Sequence, residues 1–366
     1  MIKTGSIEIK KIQKFIRSPG LFIRDYLLKR HPLILNELKC PIDEEEVLIR
    51  HELALHENLP ESLTIDVVFT WVNDADPVWQ KKLNHAKNNG QTIGAHAQDN
   101  ARFANHDELR YSLKCILENM PWVNHIYIVT DQQRPNWLKA DCRITIIDHK
   151  EIIDKQFLPT FNSHVIEACL HKIKGLAEHF IYFNDDVFVA RPLQKNHFFK
   201  SNGIASLFLA QKSLTAMHDK GMTTPTLSAA QKGAKLLRAQ YGETIDMPLV
   251  HTYVPLRKSM FELAWQQHGA SIRQFMGNQF RGNNDLNLAT FLIPWMAYFE
   301  GLAVPAIDIC YYFNAQSTAA KQYWTQLHLK KGSTATPHSF CANDFRDTSA
   351  GTLNNGLSNQ LKLYTS

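Results

Sequence analysis

The sequence predicts an α/β protein with a mostly parallel sheet and helices on both faces, and three observations carry that reading. Four short runs rich in β-branched and aromatic residues stand at 65–70, 126–130, 144–147 and 180–183. Helical stretches alternate with them, as parallel strands require. Three runs stop directly on an acidic residue or on Asn-Asp-Asp, and the first is followed within three residues by Asn73. That edge is where open α/β sheets hold ligands.

In chain order, the first element is basic. Residues 1–40 hold nine basic and three acidic side chains, so this segment carries +6 of a total of +5 and the remainder sums to −1. Residues 7–17 and 20–30 read as two helices split by Ser18-Pro19-Gly20. Apolar residues such as Phe15, Ile16, Leu21, Phe22, Ile23, Tyr26 and Leu27 interleave with the charges and make the segment amphipathic. Such a segment lies on an anionic membrane surface, docks on a partner, or packs on its own body. Residues 41–60, acidic and polar between Pro41 and Pro60, are expected to be a linker with a helix inside. Residues 1–60 therefore form an N-terminal helical segment and linker.

The α/β pattern occupies 61–350. Ile65–Thr70 is the first strand and runs into Trp71-Val72-Asn73-Asp74-Ala75-Asp76. Residues 80–100 are polar and expected to be partly loop. Asp107–Asn119 is a helix with Leu109, Leu113, Ile116 and Leu117 on one face; Asp107 and Glu108 fall in its first turn, where they favour the dipole. Ile126–Thr130 ends at Asp131 and Ile144–Ile147 at Asp148; Ser163–Ile173 is a helix. Phe180–Phe183 then stops on Asn184-Asp185-Asp186. Two adjacent carboxylates at the end of a buried strand are costly unless something binds them, and the usual guest is a hard divalent cation holding phosphates. The plain alternative is a solvated acidic turn. Likewise the four strand endings either form one ligand-holding rim or are ordinary caps and turns. Residues 211–247 read as a polar excursion and 351–366 as a loose tail.

Composition narrows the class. A 366-residue chain with 44% hydrophobic and 20% charged residues suits a globular enzyme of one large domain or two ordinary ones. No run approaches the roughly 18 apolar residues of a membrane span. Glu8, Lys10, Lys11 and Lys14 interrupt any signal-peptide core. Six cysteines without a C-x-x-C pair argue against a zinc or disulfide framework and for a cytoplasmic location. The dinucleotide, P-loop and G-x-S-x-G signatures are absent.

Four blocks resemble the Stealth family, which includes bacterial capsular polysaccharide phosphotransferases and the animal N-acetylglucosamine-1-phosphotransferase. They are IDVVFTWVNDADPVW (65–79), DELRYSLKCILENMPWVNHIYIVTDQQRPNWL (107–138), FNSHVIEACLHKIKGLAEHFIYFNDDVF (161–188), and a looser block joining RGNNDLN (281–287) to FCAND (340–344). The resemblance implies a GT-A-like core. It also implies transfer of a sugar 1-phosphate from a nucleotide sugar, a UDP-hexosamine, to a glycan hydroxyl, with release of the nucleoside monophosphate. Attack at phosphorus needs cations for the pyrophosphate, a base for the hydroxyl and a cation for the phosphoryl oxygens.

On the matching positions, Asp186 becomes the candidate ligand for Mg²⁺ or Mn²⁺, with Asp344 beside it or orienting the site. His251 becomes the general base, since animal members place a catalytic histidine there. Arg281 becomes the phosphate clamp, its planar fork suiting phosphate oxygens, and Asp285 orients these groups or touches the metal. Trp71, Asn73, Asp107, Arg110 and Asn343 are assigned to substrate binding, Arg110 chiefly as a holder of loops. His164, absent from animal members, is reserved for acceptor or packing chemistry. The resemblance further implies a capsular glycan acceptor and a place at the cytoplasmic face of the inner membrane, reached through residues 1–40 by lipid or capsule-assembly proteins; no nucleic-acid partner is expected. Two rival readings are a metal-dependent glycosyltransferase that releases the nucleoside diphosphate, and a non-catalytic glycan-binding protein.

Overall fold

A computed structural model describes residues 15–16, 18–31, 34–56, 63–88, 105–222, 224–343 and 356–366. Asp344, nearly all of the expected helix 7–17 and much of the stretch 80–100 lie outside the described residues.

The main sheet has five strands in the order β3-β2-β1-β4-β7. They are β1 (Ile65–Thr70), β2 (Ile126–Thr130), β3 (Ile144–Asp148), β4 (His179–Asn184) and β7 (Val254–Arg257). The first four are mutually parallel and β7 is antiparallel on β4. Every residue of β2, and all but the last of β1, is buried irrespective of the alternation of side chains. Both faces of the sheet are therefore covered, the usual state of a parallel sheet, and near-continuous Val/Ile/Phe runs are its sequence form. All four predicted strands stand within a residue of their predicted ends.

The strands the sequence did not announce are short. β5 (Val187–Val189), β9 (Cys310–Asn314) and β10 (Ser339–Asn343) form a second sheet in the order β5-β10-β9, and β6 (Ala205–Phe208) pairs with β8 (Ala303–Ala306). β5 follows β4 after only Asp185 and Asp186, so the acidic pair sits at the junction of two sheets. β10 runs antiparallel to β5 and brings Cys341 opposite Val187.

Several flanking expectations change. The helix opening the second block runs from Glu108 to Asn119, with Leu109, Leu113 and Ile116 on its buried face. Asp107 stands before it with φ 64° and makes no side-chain cap. The expected helix 163–173 divides into an α-helix Ser163–Glu167 and a 3₁₀ turn Leu170–Lys172. The polar excursion 211–247 is largely helical, Leu214–Asp219 and Pro225–Tyr241.

The stretch 41–60 is no free linker, because Ile42–His56 is a helix docked on the body. Its Glu45 is fully buried, accepting from Tyr311 Oη at 2.8 Å, Asn36 Nδ2 at 2.6 Å and Lys330 Nζ. The tail is not loose either: Gly356–Thr365 is a helix that buries Leu357, Leu361 and Tyr364. Farther forward, Pro19–Arg30 is helical with no buried residue, and Leu21, Ile23, Tyr26, Leu27 and Leu28 stand exposed. At 100° per residue, Leu21 and Leu28 lie opposite Phe22, Ile23 and Tyr26, so this helix is apolar on two sides rather than amphipathic.

Candidate active site

The carboxyl edge of the parallel strands holds less free acid than the sequence suggests. Asp131, after β2, is paired with Lys82 Nζ at 2.9 Å. Asp148, ending β3, closes a capping box with Glu151 on the short helix His149–Ile152. Asp76 caps the helix Pro77–Asn88 through the amides of Val78 and Trp79 at 2.8 and 2.9 Å. The strand-end acids are caps and ion pairs at these places, and the open chemistry belongs to the end of β4.

There Asp186 Oδ2 accepts from Asn343 Nδ2 at 3.0 Å and from Cys341 Sγ at 3.3 Å. Its Oδ1 is buried without a hydrogen-bond partner. Asp186, His251 and Cys341 bring a carboxylate oxygen, a ring nitrogen and a thiol within 4.8 Å of one another. Three residues singled out from sequence, Asp186, His251 and Asn343, thus meet at one point. Two further carboxyls stand near: Asp185, half-buried beside Asp186, and Glu108, at the start of its helix and 5% exposed. Burial first, and the Asp186 charge in addition, push Glu108 up to about 7. Burial, Glu108 and Asp186 raise Asp185 well above the usual carboxylate range. Crowded carboxyls of this kind suit a cation, whose charge would offset their burial and mutual repulsion.

His251 is exposed at the tip of a tight turn in which the Thr252 amide donates to the Val250 carbonyl at 2.9 Å. Tyr312 packs edge-on against its ring at 5.0 Å. The turn is braced from below. Thr252 Oγ1 bonds Ser339 Oγ at 2.7 Å, Ser339 Oγ donates to Asp308 Oδ1 at 2.8 Å, and Tyr253 Oη donates to Asp308 Oδ2. These four residues close a ring linking the histidine's turn to β10, whose Cys341 and Asn343 hold Asp186.

Asp308 also meets His197 Nε2 at 3.0 Å, and His197, Asp308 and His338 form a second group within 4.8 Å. It is no metal site. His338 Nδ1 accepts the Ile309 amide at 2.9 Å, which spends that lone pair and leaves the proton on Nε2; a ligating histidine does the reverse and donates its second nitrogen.

The second part of the site surrounds Arg281. Its Nε donates to Ser163 Oγ at 2.9 Å, and a terminal nitrogen donates to the same oxygen. Asp285 is fully buried and accepts four donors: Asn162 Nδ2 at 2.9 Å, His164 Nδ1 at 3.0 Å, Asn278 Nδ2 at 2.7 Å and the Gly282 amide at 3.0 Å. Burial alone would raise its carboxyl, but the His164 bond and the other donors win and hold it below its ordinary value. A carboxylate so fully engaged has little left for a metal; Asp285 fixes the 278–285 loop that presents Arg281, the orienting one of its two expected roles. His164 is consumed in the same bracket.

Tyr182 joins the two parts. Its hydroxyl meets Thr70 Oγ1 at 2.9 Å and donates to Asn184 Oδ1 at 3.0 Å, the residue before the acidic pair. Burial raises its pKa first, the buried Glu167 raises it further, and Arg281 lowers it, so Tyr182 feels both an acid and the Arg281 guanidinium.

Four other assignments change or are qualified. Trp71 is 6% exposed and belongs to the hydrophobic core, so it offers no face to a substrate. Asn73 is tied by its backbone to the buried Gln133, donating to Oε1 at 2.8 Å and accepting from Nε2 at 2.9 Å. Arg110 is exposed and makes no side-chain bond among the described residues. Asp107 keeps a left-handed backbone, a strained state that clusters at functional sites. Reading by sequence missed Cys341, Glu108 and Glu167 as members of this site. For Glu167 a signal existed: it is a lone acid in the apolar run 165–170.

Comparison with known proteins decides the lineage. Residues 64–91 match Stealth protein CR1, conserved region 1, and residues 102–207 match Stealth protein CR2, conserved region 2. A capsular polysaccharide phosphotransferase, LcbA of Aeromonas hydrophila, is 58% identical over 98% of this chain and 100% of its own length. The chain belongs to the Stealth family of capsular polysaccharide phosphotransferases. Other Stealth relatives include Cps12A of Actinobacillus pleuropneumoniae, 52% identical over 92% of both chains, and LcbA of Neisseria meningitidis, 52% identical over 92% of this chain and 94% of its own. Among solved structures, the galactosyltransferase LgtC aligns over 82% of this chain and 95% of its own at 10% identity and a TM-score of 0.40, a likeness too remote to argue from.

Proposed function

We propose that this Stealth protein transfers a sugar 1-phosphate from a nucleotide sugar, a UDP-hexosamine, to a hydroxyl of a capsular glycan, forming a phosphodiester and releasing the nucleoside monophosphate. The observation that carries this reading is the meeting of an exposed histidine with a carboxylate whose second oxygen is unpartnered. His251 takes the proton from the acceptor hydroxyl as oxygen attacks phosphorus. Arg281, aimed by Ser163, stabilises charge on the phosphoryl oxygens.

The donor set fits a divalent cation, Mg²⁺ or Mn²⁺: Asp186 would hold it, with Asp185 and Glu108 close enough to feel its charge. When bound, such a cation offsets the pyrophosphate's negative charge. Asn343 holds the Asp186 carboxylate in place, and Asp107 and Asn73 border the donor's path. Asp344 stays a proposed member of this site.

The exposed helix Pro19–Arg30 is proposed to dock this enzyme on a capsule-assembly partner at the cytoplasmic membrane face. Apolar residues on two sides suit a protein groove better than a lipid surface, which needs one polar face. No helix among the described residues is long and apolar enough to cross a membrane. Protein lacking residues 1–31, a deletion that spares the buried Asn36 and Glu37, is expected to stay active; sedimentation of the full chain with anionic vesicles of pure lipid would favour lipid over protein.

The reaction itself is tested by incubating the enzyme with Mg²⁺, UDP-hexosamines and capsule oligosaccharides and identifying the nucleotide released. UMP is expected. UDP would mean attack at the anomeric carbon, and no nucleotide at all would return the protein to the glycan binders.

A further inference from the structure

The same corner of the molecule carries a second kind of chemistry. A magnesium-type cation takes oxygen ligands and keeps several waters. The group at the end of β4 offers something else as well: a carboxylate oxygen of Asp186, a ring nitrogen of His251 and the thiol of Cys341, all within 4.8 Å. One oxygen, one nitrogen and one sulfur are a ligand set for a borderline-soft ion such as zinc.

We propose that Asp186, His251 and Cys341 form an inhibitory site for a thiophilic divalent cation of the zinc class. It rests on the reading that His251 and Asp186 serve catalysis, since a cation held by all three withdraws both from the reaction. Two of the three ligands are already set. Cys341 is fully buried on β10 and donates to Asp186 at 3.3 Å, so sulfur and carboxylate face each other. Asn343 fixes the same carboxylate from the next inward-facing position of the strand. The unpartnered Oδ1 of Asp186 is buried at this point and has lone pairs to give. His251 is the mobile ligand: its ring is exposed, so it turns about its side-chain bonds without disturbing the core.

Binding replaces the Cys341 S–H bond with a sulfur–metal bond and passes one proton to water, with no change of oxidation state. The His197, Asp308 and His338 group, of similar composition, is not a competitor, because His338 has given its Nδ1 lone pair to the Ile309 amide.

The test uses the full chain, freed of metal, titrated with Co²⁺ as a coloured stand-in for zinc. One equivalent is expected to give intense visible bands of a four-coordinate ion together with a near-ultraviolet sulfur-to-cobalt charge-transfer band, and Zn²⁺ should bleach both. Cys341→Ser is expected to lose the charge-transfer band. His251→Ala, at an exposed position that folding does not need, is expected to weaken Co²⁺ binding at least about tenfold, the floor seen even for outer-shell changes. In turnover assays supported by Mg²⁺, the Zn²⁺ inhibition constant should rise by a similar factor in Cys341→Ser, measured against that variant's own uninhibited rate. Co²⁺ binding without a charge-transfer band, or equal Zn²⁺ inhibition with and without Cys341, overturns the proposal. Should Cys341→Ser prove unfolded by circular dichroism, an unchanged Co²⁺ affinity in His251→Ala overturns it alone. A cobalt spectrum as expected in a protein that transfers nothing would leave this site standing and remove the catalytic reading instead.

Discussion

Two groups of histidine with aspartate lie close together in this protein, and they behave in opposite ways. In the group of His197, Asp308 and His338, all three residues are buried, each Asp308 oxygen accepts a hydroxyl, and His338 accepts a backbone amide. Burial would raise Asp308, but the His197 bond and its other partners hold it below the usual carboxylate range. In the group of Asp186, His251 and Cys341, the histidine is exposed, one carboxylate oxygen has no partner, and the neighbouring acids Asp185 and Glu108 are pushed upward. Residue type and spacing do not separate the two groups; the accounting of lone pairs and protons does. A saturated network stabilises, whereas an unsatisfied one waits for a ligand. The closed group also serves the open one, because its hydroxyl ring holds the turn from which His251 projects.

The largest effect expected from that contrast is at Asp186. Asp186→Asn keeps the size and the bonds to Asn343 and Cys341 but removes the charge, and transfer should fall to background, as it should in enzyme stripped with EDTA. Full turnover in either sample would show that the open group holds no working cation.

The brace is tested more gently. Thr252→Val removes only the hydroxyl that reaches Ser339, a bond worth about 1 kcal/mol. Turnover should drop about fivefold with donor affinity unchanged, and Thr252→Ser should recover most of it. A lowered melting temperature with normal turnover per folded molecule would reduce the ring to a stabiliser and detach it from His251.

The smallest effect is one of sign. Glu108 keeps its proton in the folded protein up to about 7, while its ordinary value is 4.5. Across that window the folded chain binds more protons than the unfolded one, so this group's contribution is full below the ordinary value and is lost as pH rises through about 7. Metal-free wild type, melted at a series of pH values, should therefore lose stability toward alkali more than Glu108→Gln does. Parallel melting curves would show that Glu108 does not hold its proton in the folded chain.

How much of this was legible beforehand follows from which interactions are local. β1, β2, β3 and β4 announce themselves because a doubly covered strand must be a continuous apolar run. β7 and β8 do not, since Pro255 and Pro305 interrupt them; both strands lie at sheet edges, where a missing amide is tolerated. The end of β4 was readable as an acidic pair after a buried strand. Cys341 was not, because its meeting with Asp186 spans 155 positions. Asp131 and Asp148 misled for the same reason in reverse: the Lys82 partner of the first is 49 residues away, and the second is an ordinary cap. Trp71 was assigned to substrate binding and is core, a distinction that only packing makes.

Whether the open group performs the chemistry is decided most directly at His251. Turnover, donor binding and circular dichroism should be measured for His251→Ala across a range of pH. With His251 as the base that receives the acceptor's proton, turnover falls by roughly two to four powers of ten, donor affinity barely moves, the fold is kept, and the acidic limb of the pH–rate profile disappears. Turnover near wild type with an unchanged profile would contradict the account and place the base elsewhere.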